Sequence, residues 1–326
     1  MKALVILNPA AGKESSGVVN ESLRKHFSGV IDYEVYETKK EDKAADIVRA
    51  RLGEGFDLVV AAGGDGTVSA VTGGLVGTSV PLGIIPVGTG NILARELDLP
   101  LDTDAAAALI ASGPQSRKID IMSRSGQTCV LNASVGFSAT IISGTSRESK
   151  NHFGRLAYYW TAARKLFSMR GHYLEVEVDG KSLEYHSVEV IIANCGKLFK
   201  KLYPMGPDMS LDDGHLDVWI LSAKSELDYP LYILGLITGR PANLRTDFLT
   251  AKKNVTIRCS HALRVQVDGD ATGTTPLRVE LLPGALTVLV SEKPGVEADF
   301  DAVRHLYVSR FPAYFRRSKA RHNRRP

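Results

Sequence analysis

Leu58-Val-Val-Ala-Ala-Gly-Gly-Asp-Gly-Thr67 packs an apolar run, a glycine turn and the start of a helix into ten residues. Leu58–Ala62 reads as a strand buried on both faces, because nothing polar interrupts it. It runs straight into Gly63-Gly64-Asp65-Gly66-Thr67, and a helical pattern continues from there to about Leu75. Upstream, Ala3–Leu7 is a second short apolar run, and it ends in the turn-like Asn8-Pro9-Ala10-Ala11-Gly12. Val18–Phe27 then has helical spacing, Ile31–Glu37 alternates as a strand does, and a helix is predicted from about Lys43 to Leu52, closed by Gly53. Downstream, Leu82–Ile85 is a strand that enters Pro86-Val-Gly-Thr-Gly-Asn91, with a helix after it. Strands alternating with helices at this spacing predict a mostly parallel, layered α/β sheet. In such sheets ligands lie at the carboxyl ends of the strands, where all three glycine-bearing turns would gather.

After about Ile121 the pattern changes. Thr128–Val135, His172–Val178, Ser187–Ala193, Leu216–Leu221, Val255–Cys259, Leu263–Val267, Pro276–Leu282 and Leu286–Val290 all read as strands. Asp179-Gly180, Asp268-Gly269 and Pro283-Gly284 supply turn signals, so this half is expected to be an antiparallel β-sandwich. Two helical interruptions are expected, near Arg155–Met169 and Leu227–Gly239. The fold class is thus α/β plus mainly β. Residues 1–120 form the layered α/β lobe, rejoined by about 292–313, and 121–291 the sandwich, with a basic tail over 314–326.

Composition narrows the function classes. A chain of 326 residues, 44% hydrophobic and 23% charged, is globular rather than disordered. Cys129, Cys195 and Cys259 are far apart and form no Cys-x-x-Cys pair, which argues against a disulfide framework or zinc site and for a reducing, cytoplasmic setting. The apolar start breaks at Asn8-Pro9, too short for a signal peptide, and Tyr229–Thr238 is too short to span a bilayer. The net charge of +4 is unevenly spread. Eight basic residues and no acid follow Ala302, leaving 32 basic against 36 acidic residues in the body. Such a tail suits either a solvated extension, a nonspecific nucleic-acid arm or an anionic membrane surface.

The three turns carry the chemistry. Glycines let backbone N–H groups approach phosphate oxygens, and a helix N-terminus adds a favourable dipole. Asp65 inside such a loop is informative, since a carboxylate beside a phosphate needs Mg²⁺, a proton or a sugar hydroxyl; the plain alternative is a helix N-cap. In Pro86–Asn91, Thr89 offers a hydroxyl, although Thr89 or Asn91 is equally suited to capping. Lys13 after the first turn is placed to neutralise phosphate charge. The P-loop pattern Gly-x-x-x-x-Gly-Lys-Ser/Thr is absent, as is Gly-x-Gly-x-x-Gly after the first strand, which argues against a dehydrogenase.

Ile6-Leu-Asn-Pro-Ala-Ala-Gly-Lys13, Ala62-Gly-Gly-Asp-Gly-Thr67 and Ile85-Pro-Val-Gly-Thr-Gly-Asn-Ile-Leu-Ala-Arg95 together resemble the diacylglycerol kinase catalytic-domain and sphingosine kinase superfamily. Met209-Ser-Leu-Asp-Asp-Gly-His-Leu-Asp217 and Gln266-Val-Asp-Gly-Asp270 resemble its landmarks in the second lobe, so the likeness runs to about Ser291. It implies an ATP-dependent lipid kinase whose first lobe is similar to those of NAD kinases and phosphofructokinases. ATP would be held by Asn8, Pro9, Ala10, Ala11, Gly12, Thr38, Gly63, Gly64, Asp65, Gly66, Thr67 and Thr89. A structural Mg²⁺ would lie at Asp213, with main-chain oxygens of Ser210 and His215; the plain alternative for Asp212-Asp213-Gly214 is a hairpin turn. Asp270 stands where soluble bacterial relatives carry a glutamate as proposed general base, and Asp65 competes for that role. Asp268-Gly269-Asp270 is otherwise a β-turn, and Ile92 stands where many members have aspartate.

The resemblance further implies a lipid substrate at a membrane surface, with peripheral association through the basic tail at the inner face. Phe137, Phe153, Tyr158, Tyr159, Trp160 and Tyr232 are candidate apolar walls. No specific nucleic acid is expected, and homodimerisation stays open. Two other readings remain: a kinase of a soluble substrate such as NAD, and an inactive nucleotide- or lipid-binding module.

Overall fold

The computed structural model describes residues 1–12, 16–136, 170–196, 209–222, 228 and 245–291. Both expected helical interruptions, all six candidate aromatic walls and the tail from 292 onward fall outside these residues. Residues 1–291 form one compact unit.

The first part alternates as expected: β1 (Lys2–Leu7), α1 (Ser16–Phe27), β2 (Asp32–Glu37), α2 (Ala44–Arg51), β3 (Leu58–Gly63), α3 (Asp65–Leu75), β4 (Leu82–Pro86), α4 (Ile92–Glu96) and α5 (Thr103–Ala111). The four strands are parallel in the order β2-β1-β3-β4. Side chains alternate across a strand, and here both faces are covered. Ala3, Val5 and Leu7 meet Val19, Leu23 and Phe27 of α1 and Ala106 and Ile110 of α5. Leu4 and Ile6 face the other way, into a core with Val48 of α2 and Val71 and Leu75 of α3. The unbroken apolar character of these strands follows from that double burial.

The second part is β5 (Gln115–Arg124), β6 (Gln127–Cys129), β7 (Asn132–Gly136), β8 (His172–Val178), β9 (Lys181–Ser187), β10 (Glu189–Ala193), β11 (Leu216–Ser222), β12 (Arg245–Ala251), β13 (Asn254–Cys259), β14 (Arg264–Val267), β15 (Asp270–Thr274) and β16 (Leu277–Val290). Strands β12-β11-β10-β7-β14-β15 make an antiparallel sheet of their own. The parallel sheet does not stop at β4. β16 joins it in parallel, and β13, β8 and β9 extend it antiparallel to ten strands, counting β5 and β6. Val176, Val218, Ile257, Val265 and Val279 are buried together in the second core, which both sheets supply. The boundary drawn near Asp120 falls inside β5, a strand that runs along β16 for its whole length.

Three sequence expectations are corrected. Pro276–Leu282 and Leu286–Val290 are one strand, β16. Pro283-Gly284 forms an irregularity against β5 rather than a turn, because the N–H of Gly284, at φ 56°, is taken by the Asp120 carboxylate at 2.7 Å. Thr128–Val135 is broken at Val130-Leu131, whose N–H groups leave the ladder for the Asp268 carboxylate. The polar strands β9 and β15 carry too little apolar alternation to announce themselves. The Asp-Gly turns form as expected. Asp179-Gly180 and Asp268-Gly269 both have positive φ at both residues and join strands paired directly across them. That is the type I′ hairpin geometry, which suits the right-handed twist of the flanking strands.

Candidate active site

The carboxyl ends of β1, β2, β3 and β4 lie level. Leu7 sits opposite Glu37 and Ala62, and Gly63 opposite Pro86. The ladder carries one residue past each end: Thr38 donates to Leu7 O at 2.8 Å, Asn8 to Ala62 O at 3.0 Å and Val87 to Gly63 O at 3.0 Å. The three glycine loops and Thr38 therefore leave the sheet side by side.

The loops are packed on one another through their glycines. At Gly12, with φ +70°, a Cβ would stand 1.7 Å from Val87 O, so the first loop lies directly on the third. A Cβ at Gly88 would stand 2.6 Å from Gly64 Cα, which joins the second loop to the third just as closely. One at Gly63 would meet the Thr67 side chain at 2.5 Å. Gly12 and Gly88 are needed for contact between backbones, and Gly63 for contact with the Thr67 side chain. Asn8 ties the first loop to the second. Its Nδ2 donates to Thr67 Oγ1 at 3.0 Å, while its Oδ1 accepts the Ala10 N–H at 3.0 Å. Pro9, Ala10 and Thr89 are exposed along the rim, and Ala11 is half-buried beside them. Lys13 lies outside the described residues.

Asp65 stands at the centre. It is the first residue of α3 and does not cap that helix, whose cap position is Gly64. Its Oδ1 instead accepts the N–H of Ile92 at 2.5 Å, at the start of α4. Asn91, the cap residue of α4, has φ 50° and turns its Nδ2 back to Gly88 O at 2.7 Å. Its Oδ1 is buried without a partner among the described residues. Thr38 does not cap the next helix either, since Lys43 holds that position. The sequence pointed to each loop; the cross-link from Asp65 to Ile92 needs the folded chain.

Asp270 opens β15 opposite Val267 and is exposed, and its carboxylate has no hydrogen bond or ion pair among the described residues. Asp268, two residues before it, is fully engaged. Its carboxylate accepts N–H groups of Val130 and Leu131 at 2.8 Å each and of Asn132 at 3.2 Å, together with the Ser69 hydroxyl at 2.9 Å. Sequence reasoning treated Asp268 as a turn residue only.

Ser210, Asp213 and His215 do come together. The Asp213 carboxylate accepts the N–H of Ser210 at 3.2 Å and of His215 at 3.0 Å, with His215 Nδ1 at 3.7 Å. Asp212 is held in its charged form first by the Arg117 guanidinium, which grips both its oxygens. Burial, and then repulsion from Asp213, pushes Asp217 up to about 6, with His215 opposing. No group of three or more His, Cys, Asp or Glu placed for a metal occurs among the described residues. A cation here would rest on the Asp213 carboxylate and main-chain oxygens, a hard donor set of the kind Mg²⁺ accepts. The excess negative charge at Asp213 and Asp217 favours such a cation.

Asp120 was also missed by the sequence reading. It is buried, and its carboxylate accepts the N–H of Gly214 and of Gly284 at 2.7 Å each. It thereby pins the Asp213 loop to the bulge in β16. The signal for it was faint: a lone acid inside an apolar run.

Residues 2–124 match the diacylglycerol kinase catalytic domain, and residues 132–290 match the YegS C-terminal NAD kinase beta sandwich-like domain. A diacylglycerol kinase of Bacillus subtilis is 31% identical over 288 residues, 84% of this chain and 91% of the relative. The chain belongs to the diacylglycerol kinase catalytic-domain superfamily. A probable lipid kinase YegS-like of Pseudomonas fluorescens is 30% identical, over 89% of this chain and 96% of that protein. A crystal structure of a diacylglycerol kinase from Bacillus anthracis shares the fold, with a TM-score of 0.69 at 24% identity, covering 89% of this chain and 97% of that one. Membership makes this protein a kinase, and the two relatives above carry the names diacylglycerol kinase and probable lipid kinase. No helix among its described residues is long and apolar enough to cross a membrane.

Proposed function

We propose that this protein transfers the γ-phosphoryl group of ATP to a hydroxyl of a membrane lipid such as diacylglycerol or a sphingoid base. The observation that carries the reading is the packing of three glycine loops, level with one another at the carboxyl edge of the parallel sheet, around Asp65. Glycine backbones held this close leave N–H groups free to face phosphate oxygens, and the N-terminus of α3 adds its dipole. Asn8, Thr38, Thr67 and Thr89 are the polar side chains at that edge. The lipid oxygen forms the new bond to phosphorus as the bond to the β-phosphate bridging oxygen breaks. The lipid's proton passes to a carboxylate, and ADP leaves. Asp270, exposed on the turn that follows Asp268, is the acceptor for that proton, and Asp65 is its competitor.

Mg²⁺ would spread the charge that develops on the phosphates. A structural Mg²⁺ at Asp213, with main-chain oxygens of Ser210 and His215, would relieve the repulsion between Asp213 and Asp217. A lipid acceptor fits a protein that meets its substrate at a membrane surface, with the basic tail attracted to anionic headgroups.

The test is turnover of γ-labelled ATP with Mg²⁺ against a mixed-micelle panel of lipids, with NAD and a lipid-free control alongside. Asp65→Asn and Asp270→Asn run beside the wild type. Label in one lipid class, lost in either variant, supports the reading and names the base. Label in NAD alone reassigns the protein to soluble kinases. ATP binding without transfer to anything makes it an inactive module.

A further inference from the structure

The type I′ turn that presents Asp270 is held from both sides. On one side the Asp268 carboxylate closes over the segment between β6 and β7, with five donors: the N–H groups of Val130, Leu131 and Asn132, the Ser69 hydroxyl, and the Cys129 thiol at 3.4 Å, whose one hydrogen is shared with Asn132 O at 3.3 Å. Cys129 is fully buried and its thiol is pushed well up, first by burial and then by the Asp268 charge, so it stays a donor. On the other side the N–H of Gly269 donates to Gln266 Oε1 at 2.7 Å, and Gln266 Nε2 reaches Asn132 Oδ1. Asp268 N–H also donates to Asn132 O at 2.9 Å. Asp268 itself has φ 47° and Gly269 φ 89°, so the turn has one backbone geometry and little freedom to swing.

Of those five donors, Ser69 differs in origin. It lies on α3, four residues after Asp65, so Asp65 and Ser69 share one helix face a turn apart. The helix whose first residue is the central acid of the glycine loops therefore reaches, one turn later, the carboxylate that anchors the Asp270 turn. No other hydrogen bond among the described residues joins α3 to that turn directly.

We propose that Ser69 and Asp268 form a positioning bridge, which fixes the proton-accepting Asp270 in register with the phosphate-binding loops. The inference rests on the lipid-kinase reading above and deepens it. Asp268 acts through Asp270 and touches no substrate. Its main-chain partners hold the turn as a unit, and the Ser69 hydroxyl sets where that unit stands relative to α3. A misplacement of about 1 Å at a reacting group can cost on the order of 10²-fold in rate. Loss of the single Ser69 hydrogen bond, with the other donors intact, is expected to cost roughly a tenth of that.

The decisive experiment compares Ser69→Ala and Ser69→Thr in the wild-type and Asp270→Asn backgrounds, reading kcat and the KM for ATP on the preferred lipid. Thermal midpoints are recorded alongside. Ser69→Ala is expected to lower kcat by roughly 10-fold with the ATP KM held within about twofold, and Ser69→Thr, which restores the hydroxyl, to recover most of it. In the Asp270→Asn background Ser69→Ala is expected to add little, because the group being positioned is already gone. A Ser69→Ala variant with wild-type kcat overturns the proposal. So does an equal loss in both backgrounds, or a loss that only follows the thermal midpoint and is not restored by threonine. A wild type that phosphorylates no lipid sinks the functional reading itself, and the proposal with it.

Discussion

Gly66→Ala separates what the fold requires from what a ligand requires. Gly66 is the second residue of α3, and a methyl built on it has no heavy atom within 4 Å. Its φ is not positive, so alanine meets no backbone strain there. Glycine inside a helix is less favourable than alanine by about 0.5–1 kcal/mol, and the variant is therefore expected to be more stable by that amount. In a chain of this size that corresponds to a rise of about 1–3 °C in the thermal midpoint. The same methyl projects from the first turn of a helix, where N–H groups have no partner in the helix and point outward. If phosphate oxygens sit against those N–H groups, the methyl stands in their way, and the ATP KM is expected to rise by at least about 10-fold. The assay is a thermal melt without nucleotide alongside ATP titration of lipid phosphorylation. Raised stability with weakened ATP use would show that glycine at 66 serves the ligand. Raised stability with an unchanged ATP KM would refute the reasoning that this loop cradles phosphates.

Gly88→Ala should behave in the opposite way. Its Cβ would fall 2.6 Å from Gly64 Cα and 2.9 Å from Asn91 Oδ1, so the loops must part, and a melt should show a loss of about 1–3 kcal/mol even without ATP. Asp120→Ala leaves the N–H groups of Gly214 and Gly284 without their acceptor, and urea titration should report a loss of about 2–4 kcal/mol. The His172 imidazole is held below its usual 6.5, first by burial and then by the neighbouring His261 and His186. A depressed histidine resists protonation in the folded state, so the stability it contributes is present above pH 6.5 and is lost as pH falls below it. Thermal midpoints measured from pH 7.5 to 5 should fall less steeply in His172→Gln than in the wild type.

The layered half of the fold was legible because its signals are local. An apolar run such as Leu58–Ala62, buried on both faces, and a glycine turn directly after it mark a parallel strand and its loop within ten residues. The Asp-Gly hairpins were legible for the same reason. The joining of the two halves into one sheet was hidden, because the pairing of Leu82 with Val288 depends on residues about two hundred positions apart. Pro283-Gly284 misled the reading because a bulge and a turn use the same residue types, and only the acceptor offered by Asp120 decides between them. In the candidate site, the residue types at Asn8, Asp65 and Thr67 were readable; their cross-links were not.

The two acids that sequence reasoning passed over share a feature that bears on how the site keeps its shape. Asp120 and Asp268 take main-chain N–H groups from distant segments, and no ion pair to either is seen among the described residues. A carboxylate satisfied by amides is gripped by several short, directional bonds, stronger than those between neutral groups. It also adds no cation beside the place where phosphates would sit. Exposed pairs such as Arg258 with Glu177 lie on β13 and β8, are screened by salt and contribute little. The protein thus fixes the Asp213 loop and the Asp270 turn with acid-to-amide contacts, and Asp65 itself ties α3 to α4 through the Ile92 N–H, while the proposed proton acceptor Asp270 is left exposed at the start of β15. Rigidity and reactivity then rest on different carboxylates, two residues apart in the Asp268-Gly269-Asp270 turn. Asp268→Asn should accordingly cost both stability and rate, whereas Asp270→Asn should cost rate alone.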